Sequence, residues 1–358
     1  MGKTSITIKE IALRLGISKS TVSRALRDSS EISEATKERV IELARRLNYS
    51  PNPIALSLLN NQTHTIGIIV PDIDNPFFST AISGVEDVAY NRGYHVMIYQ
   101  SHESYEREKA NVRHIAERHA DGLIVSVASQ SLHHHHFADL QEVGIPIAFF
   151  DRASNEIQTH KVLVDDYAGA FQGTEHLIEQ GCRKIAHISG PMSLAISRNR
   201  FNGYRDALRR HDLPLRDEWV VAAEYNQSEG TERAYQLMAL RERPDAIFAA
   251  SDRIAIGVHW ALRQLGYRMP DDVALIGFSD LGVSVLLDPP LSSVSQPSFE
   301  MGRQAAELLL ELIENKSTPV AYETRVLKTD LNIRGSSLKT TVPNAPASAE
   351  TPGESYPS

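Results

Sequence analysis

The chain has 358 residues, 42% of them hydrophobic, which is too long for one ordinary core and apolar enough for two or three packed units. Its single cysteine, Cys182, excludes an intramolecular disulfide and a cysteine-based zinc site; with no apolar signal region and no stretch of about 18 apolar residues, a reducing cytoplasm is the expected compartment. The net charge of −8 is uneven, because residues 1–63 hold ten Lys/Arg and six Asp/Glu, which confines the basic part to the amino-terminal head.

The head opens with two short helical patterns joined at one glycine. Thr7 is placed to cap the first, with Glu10 positioned to bond back to it and Ile6 and Ile11 forming a hydrophobic staple. Ile8, Ile11, Ala12 and Leu15 recur at helical spacing, and Gly16 supplies a permissive exit. Ser18 then caps a second helix. Val22, Ala25 and Leu26 form its inward stripe, leaving Lys19, Ser20, Ser23, Arg24 and Arg27 outward, a face of donors suited to phosphates and base edges. A third pattern after Ser33 turns Val40, Leu43, Ala44 and Leu47 inward. The arrangement is a helix-turn-helix, expected over residues 1–48.

Residues 49–63 form a hinge in which Pro51 and Pro53 stop the third helix and a short apolar run starts another. So short a helix is marginal in water without a partner, so the hinge is expected to order on DNA, paired with a second subunit. From Thr65 the pattern becomes apolar runs alternating with amphipathic helices. Strands are expected at Ile66–Val70, His95–Tyr99, Gly122–Val127, Ile145–Phe150, Lys161–Val164, Lys184–Ser189, Trp219–Glu224, Ala246–Ala250 and Val273–Phe278. Continuous rather than alternating apolar strands imply an α/β body of two doubly wound parallel sheets covered by helices. The chain is expected to cross between these halves near Lys161–Asp166 and again near Leu291–Pro297. This body is assigned to residues 64–335, and the Pro-, Ser- and Thr-rich stretch 336–358 is expected to be a disordered tail.

In a doubly wound sheet a ligand sits at the carboxyl ends of the strands. Those ends carry Asp72, Asn75, Phe77 and Phe78; Asp151 and Arg152; Tyr225; Ser251 and Asp252; and Ser279 and Asp280, with Arg198 and Arg200 after Ser189-Gly190-Pro191. Carboxylates and guanidinium groups pair with vicinal hydroxyls, and aromatic faces cover the apolar side of a sugar ring, so a small polyhydroxylated effector is expected. Four consecutive histidines, His133–His136, point in different directions around a helix and read as a solvated helix start, not a metal site. No phosphate loop of the Gly-x-x-x-x-Gly-Lys type and no Gly-x-Ser-x-Gly elbow is present, and scattered Ser, His and Asp residues define no triad. Neither an enzyme nor a bound cofactor is expected, and a sugar-uptake protein would carry an export signal where the basic head stands.

From Thr7 to about Arg334 the chain resembles the lactose repressor/galactose repressor (LacI/GalR) family of bacterial transcription regulators. The resemblance is carried by Ile11-Ala12…Gly16-Ile17-Ser18…Thr21-Val22-Ser23-Arg24, Asn48-Tyr49-Ser50-Pro51-Asn52, Ala55…Leu58, Ile66-Gly67-Ile68-Ile69-Val70-Pro71, Arg200-Phe201-Asn202-Gly203-Tyr204 and Ile276-Gly277-Phe278…Pro290-Leu291. It implies a body of the periplasmic-binding-protein type. It implies DNA contacts from Thr7, Lys19, Ser20, Thr21, Ser23, Arg24, Asn48, Tyr49, Ala55 and Leu58, with Lys19, Ser20 and Arg24 at major-groove edges and Leu58 as a minor-groove wedge. Asp72, Phe77, Phe78, Asp151, Arg200 and Tyr225 match positions lining the family's effector cleft, whereas Ser279 stands where many relatives have an aspartate. The implied protein is a homodimeric repressor whose partners are operator DNA and a small effector, a carbohydrate in the first instance and a nucleobase in the second. Ser336–Ser358 has one leucine, Leu338, which favours a dimer over a tetramer joined by a leucine-repeat tail.

Overall fold

The computed structural model describes residues 6–49, 62–315 and 321–339. Residues 50–61 of the expected hinge, with Ala55 and Leu58, lie outside the described residues. The chain divides into two compact units, residues 1–63 and 64–358.

In the head, α1 (Ile8–Leu15), α2 (Lys19–Leu26) and α3 (Glu34–Arg46) enclose a core of Ile11, Ala12, Val22, Ala25, Val40 and Ala44. Gly16 ends α1 at φ 65°, in the left-handed region that admits glycine at least cost. Ser18 accepts the backbone N–H of Thr21, as its position predicts. The capping box at Thr7 does not form. The Thr7 side chain makes no cap bond, and Glu10 pairs instead with Arg14 at 2.7 Å, one turn along on the same face.

The first lobe of the body is a parallel sheet of β1 (Thr65–Val70), β2 (His95–Gln100), β3 (Gly122–Val125), β4 (Ile147–Phe150), β5 (His160–Val164) and β11 (Thr324–Leu327), in the order β11-β5-β4-β3-β1-β2. The second contains β6 (Ile185–Ser189), β7 (Val220–Ala222), β8 (Ala246–Ala249), β9 (Ala274–Ser279), β10 (Ser292–Ser295) and β12 (Asp330–Asn332), in the order β12-β10-β9-β8-β6-β7. Among the described residues, only β12 runs antiparallel to its neighbour. The helices of the body are α4 (Pro76–Asn91), α5 (Tyr105–Glu117), α6 (His135–Glu142), α7 (Asp166–Glu179), α8 (Ala195–Arg210), α9 (Gln227–Met238), α10 (Asp252–Gln264) and α11 (Ser298–Glu314). Apolar runs such as Ile66–Val70 and Ala246–Ala249 are buried on both faces, the signature of parallel strands under helices. Both expected crossovers are present: β5 is followed by α7 on the second sheet, and β10 by α11 on the first. A third, between β11 and β12, completes the connection. Gly302 of α11 lies against the Ala81 backbone of α4, and a Cβ there would overlap the Ala81 carbonyl.

Three expectations need correction. The Leu291–Pro297 crossover contains a strand, β10, buried despite its serines because each hydroxyl finds a partner, Ser292 with Arg334 and Ser293 with Asp252. The packed chain does not stop before Ser336. Ser336 gives its carbonyl to Leu275 N–H and its hydroxyl to Leu275 C=O, and Ser337 bonds both His176 and Ser292, so the body continues to Lys339. Finally, the histidine run is not uniformly solvated: His136 is buried, its Nε2 3.0 Å from the carboxylate of the fully buried Glu108.

Candidate nucleic-acid interface and ligand cleft

The outward face of α2 carries a set of polar side chains that already hold one another. Ser18 Oγ lies 2.6 Å from Ser20 Oγ and 2.8 Å from Thr21 Oγ1. Arg27 donates to Ser23, at 2.8 Å to its hydroxyl and 3.3 Å to its carbonyl. Arg24 Nη1 stands 3.1 Å from Glu31 Oε2, both side chains more than half exposed. Lys19 is exposed at the start of the helix. A helix of this length with a charged and hydroxyl-bearing outer face is the right size and chemistry to lie in a major groove. Asn48, at φ 49°, and Tyr49 close the head after α3, and the Tyr49 ring packs on its core. Tyr49 therefore helps to hold the head together.

In the body, the strand ends of both sheets meet at one cleft. An inner crevice of about 30 Å³ is lined by Asn75, Phe77, Phe78, Asp151, Arg152, Ile196, Arg200, Tyr225, Ser251, Ser279 and Gln296. An outer chamber of about 200 Å³ shares Asn75, Phe78, Arg152 and Tyr225 with it and adds Asp72, His102, Glu103, Glu224, Asn226 and Arg253. Each predicted group has a local cause for its place. Asn75 caps α4 by accepting the Phe77 N–H, which fixes the two phenylalanines at the first turn. Asp151 follows β4 at φ 59° and Ser279 ends β9 at φ 117°, left-handed turns of the kind that gather at ligand sites. The Tyr225 ring lies where a Cβ on Gly190 would stand, so the glycine after β6 makes room for it, and its hydroxyl is 2.8 Å from Ser197 Oγ.

Charge in the inner crevice is buried and coupled. Arg200 donates from Nε to Asp166 at 2.8 Å and from Nη1 to the Ala250 carbonyl at 2.6 Å, and its guanidinium lies 3.8 Å from the Phe278 ring centroid. Burial, opposed by Arg200, pushes the Asp166 carboxyl up to about 6. Burial likewise raises Asp151, against the pull of Arg152 and Arg200. Arg152 spans the cleft: Glu103 accepts from its Nη1 at 2.8 and 2.9 Å, and its guanidinium lies 5.7 Å from the Phe78 ring and 5.2 Å from Tyr225 on the opposite lobe. At the mouth, Arg253 Nη1 of the second lobe meets Asp72 Oδ2 of the first at 2.6 Å.

Two of the expected cleft acids lie elsewhere. Asp252 is fully buried behind the crevice, where it accepts from Leu281 N–H, Ser284 Oγ and Ser293 Oγ. Asp280 binds Arg334 and Asn332, tying the last strand to β9. Both sit at strand ends, but their partners come from loops and strands distant in sequence, so they serve the fold. Conversely, Glu103, Gln296 and Arg253 line the cleft without having been singled out. Gln296 lies just past the serine-rich strand that hydropathy did not reveal, and it accepts from Ser279 Oγ at 2.9 Å.

Comparison with known proteins agrees with this two-part arrangement. Residues 7–52 match the description "Bacterial regulatory proteins, lacI family", and residues 174–337 match "Periplasmic binding protein-like domain". The HTH-type transcriptional repressor CytR of Escherichia coli (strain K12) is 32% identical over 334 residues, 93% of this chain and 97% of that protein. The ribose operon repressor of Haemophilus influenzae is 32% identical over 92% of this chain and 98% of its own. Among solved structures, a transcriptional regulator CelR–cellobiose complex is similar with a TM-score of 0.69 at 30% identity, covering 92% of this chain and 99% of that one. The Lac repressor dimer bound to operator and an anti-inducer reaches a TM-score of 0.81 at 24% identity, over 94% and 100% of the two chains, a likeness of fold. These relatives are repressors, not enzymes. With such identity across nearly its whole length, and with this head and this body, the chain belongs to the lacI family of bacterial regulatory proteins.

Proposed function

We propose that the protein is a sequence-specific DNA-binding repressor whose operator affinity is set by a sugar or sugar derivative held between the two lobes. The observation that carries this reading is the convergence of Asp151, Arg152, Arg200, Tyr225, Ser279 and Gln296, from both lobes, on one crevice walled by Phe77 and Phe78. A polyol offers donors and acceptors in equal measure, which suits a carboxylate, guanidinium groups, an amide and hydroxyls placed together, and the aromatic rings cover the sugar's apolar face. The ligand shifts the protein between lobe arrangements only by its differential affinity for them.

The repressor acts as a homodimer. Trp260 and Leu286, 54% and 79% exposed, lie on a groove of about 560 Å³ on the second lobe, an apolar face that a second copy covers; the Lac repressor, of similar fold, was solved as a dimer. Sedimentation of the full chain then gives twice the monomer mass.

The effector reading is tested by thermal unfolding with D-ribose, cellobiose, sugar acids and nucleobases as probes. A ligand of the native state raises the melting temperature, and Gln296→Leu abolishes the rise for a sugar. A rise with nucleobases alone would sink the carbohydrate assignment, leaving the nucleobase as effector. For the head, Arg24→Ala lowers discrimination between operator and random duplex by about 1–3 kcal/mol; equal loss on both makes Arg24 a phosphate contact.

A further inference from the structure

The head contains an acid where a DNA-facing surface has least use for one. Most of its acids pair with basic groups of the head's own helices. Glu10 pairs with Arg14 and Glu42 with Arg46 along their helices, while Asp28 and Glu34 both hold the buried Lys37 at 2.7 Å. Glu31 does not. It lies between α2 and α3, and its partner is Arg24, the residue of α2 best suited to read a guanine. An exposed acid on a phosphate-binding face weakens binding to every DNA sequence alike.

The turn that carries Glu31 is firmly held. Lys37 pins Asp28 at its start and Glu34 at its end, Ile32 packs against the head core, and Ser29 N–H binds the Arg24 carbonyl at 3.1 Å. Glu31 therefore presents its carboxylate from a fixed base toward one end of the Arg24 guanidinium, at 3.1 Å from Nη1. A guanidinium has five N–H donors in a rigid plane, so a carboxylate drawn to one end leaves a pair of parallel donors free. A bidentate contact to guanine O6 and N7 needs such a pair.

We propose that Glu31 is a positioning residue for base reading, which fixes the Arg24 fork for guanine and, by its charge, keeps that fork from settling on a phosphate. The proposal rests on the reading that Arg24 contacts a base. Its effect is on discrimination more than on affinity.

The test uses the full-length protein and a pool of randomised duplexes, selected by binding and sequenced, for the wild type, Glu31→Ala, Arg24→Ala and the double variant. Glu31→Ala is expected to weaken preference by about two- to fivefold, the scale of an exposed ion pair, at the base-pair position that Arg24→Ala erases. It is also expected to bind a random-sequence duplex more tightly at low salt, because one negative charge is gone. In the Arg24→Ala background the substitution at 31 changes the preference no further. An unchanged profile for Glu31→Ala, or a further independent loss in the double variant, overturns the proposal. If Arg24→Ala itself leaves the profile unchanged, the base-reading role of Arg24 fails, and the inference with it. The melting temperature of each variant is the control for folding, and Glu31→Gln, which removes the charge and keeps the shape, replaces Glu31→Ala if the latter unfolds.

Discussion

The head and the cleft both rely on arginine–carboxylate pairs, but under opposite conditions. Arg24 and Glu31 are more than half exposed, where a pair contributes little to stability. Arg200 and Asp166 are almost wholly buried, where losing one partner leaves an uncompensated charge. The head can therefore exchange these side chains by single substitutions at small cost in stability. The crevice cannot change its lining so freely, because Arg200, which lines it, also ties Asp166 to the Ala250 carbonyl.

The contrast is sharpest at Asp252, where the largest effect is expected. Its carboxylate gathers the Leu281 N–H and the hydroxyls of Ser284 and Ser293, all in the interior. Asp252→Ala strands three donors and is expected to cost about 3–5 kcal/mol in denaturant unfolding. A loss below about 1 kcal/mol would show that the loop adapts and that the cleft wall is as tolerant as the head.

How much of this was legible in the sequence depended on how each segment satisfies its polar groups. The apolar strands Ile66–Val70 and Ala246–Ala249 announce themselves because nothing but burial explains them. Ser292-Ser293-Val294 and Ser336-Ser337 are buried too, yet composition reads them as loop and tail. Their hydroxyls find partners in one another and in Leu275, Arg334 and His176, contacts that form only once segments distant in the chain are neighbours. The cleft shows the same limit. Asp151 and Asp252 are both acids beside a strand end, and only their partners show that one faces the crevice and the other the core. In the head, the helices and the Ser18 cap could be read locally, but the competition that took Glu10 from Thr7 to Arg14 could not.

A second measurement probes the buried side by pH. His187 is fully buried against Tyr204 and Phe248, and burial lowers its pKa to about 4. In the unfolded chain it takes a proton near 6.5, so between these values the unfolded state binds more protons and stability falls as pH falls. Asp166, raised to about 6, acts oppositely: the folded state binds its proton first, and this group's contribution grows as pH falls toward the ordinary carboxylate range. The two act in opposite directions in the wild type. His187→Phe removes only the first, so the stability difference between variant and wild type is expected to move in the variant's favour by about 3 kcal/mol from pH 7 to pH 4. A pH-independent difference in urea unfolding would mean that His187 is not held neutral by the fold.

The smallest effect is expected at Gly16, and it bears on whether the head behaves as a separate unit. Its φ of 65° is the reason for glycine, since a Cβ there would meet nothing within 4 Å. This is the reverse of Gly302, where the backbone of a neighbouring helix fills the space. Gly16→Ala therefore adds backbone strain and no clash, about 1 kcal/mol. Because residues 1–63 and 64–358 are separate compact units, that cost should stay in the head. Amide hydrogen exchange at Ile11 to Leu15 is expected to quicken by roughly fivefold, while β1 exchanges as before. Faster exchange in β1 would mean that strain at an open turn reaches the body, and that a helix end in the head is energetically part of the α/β fold.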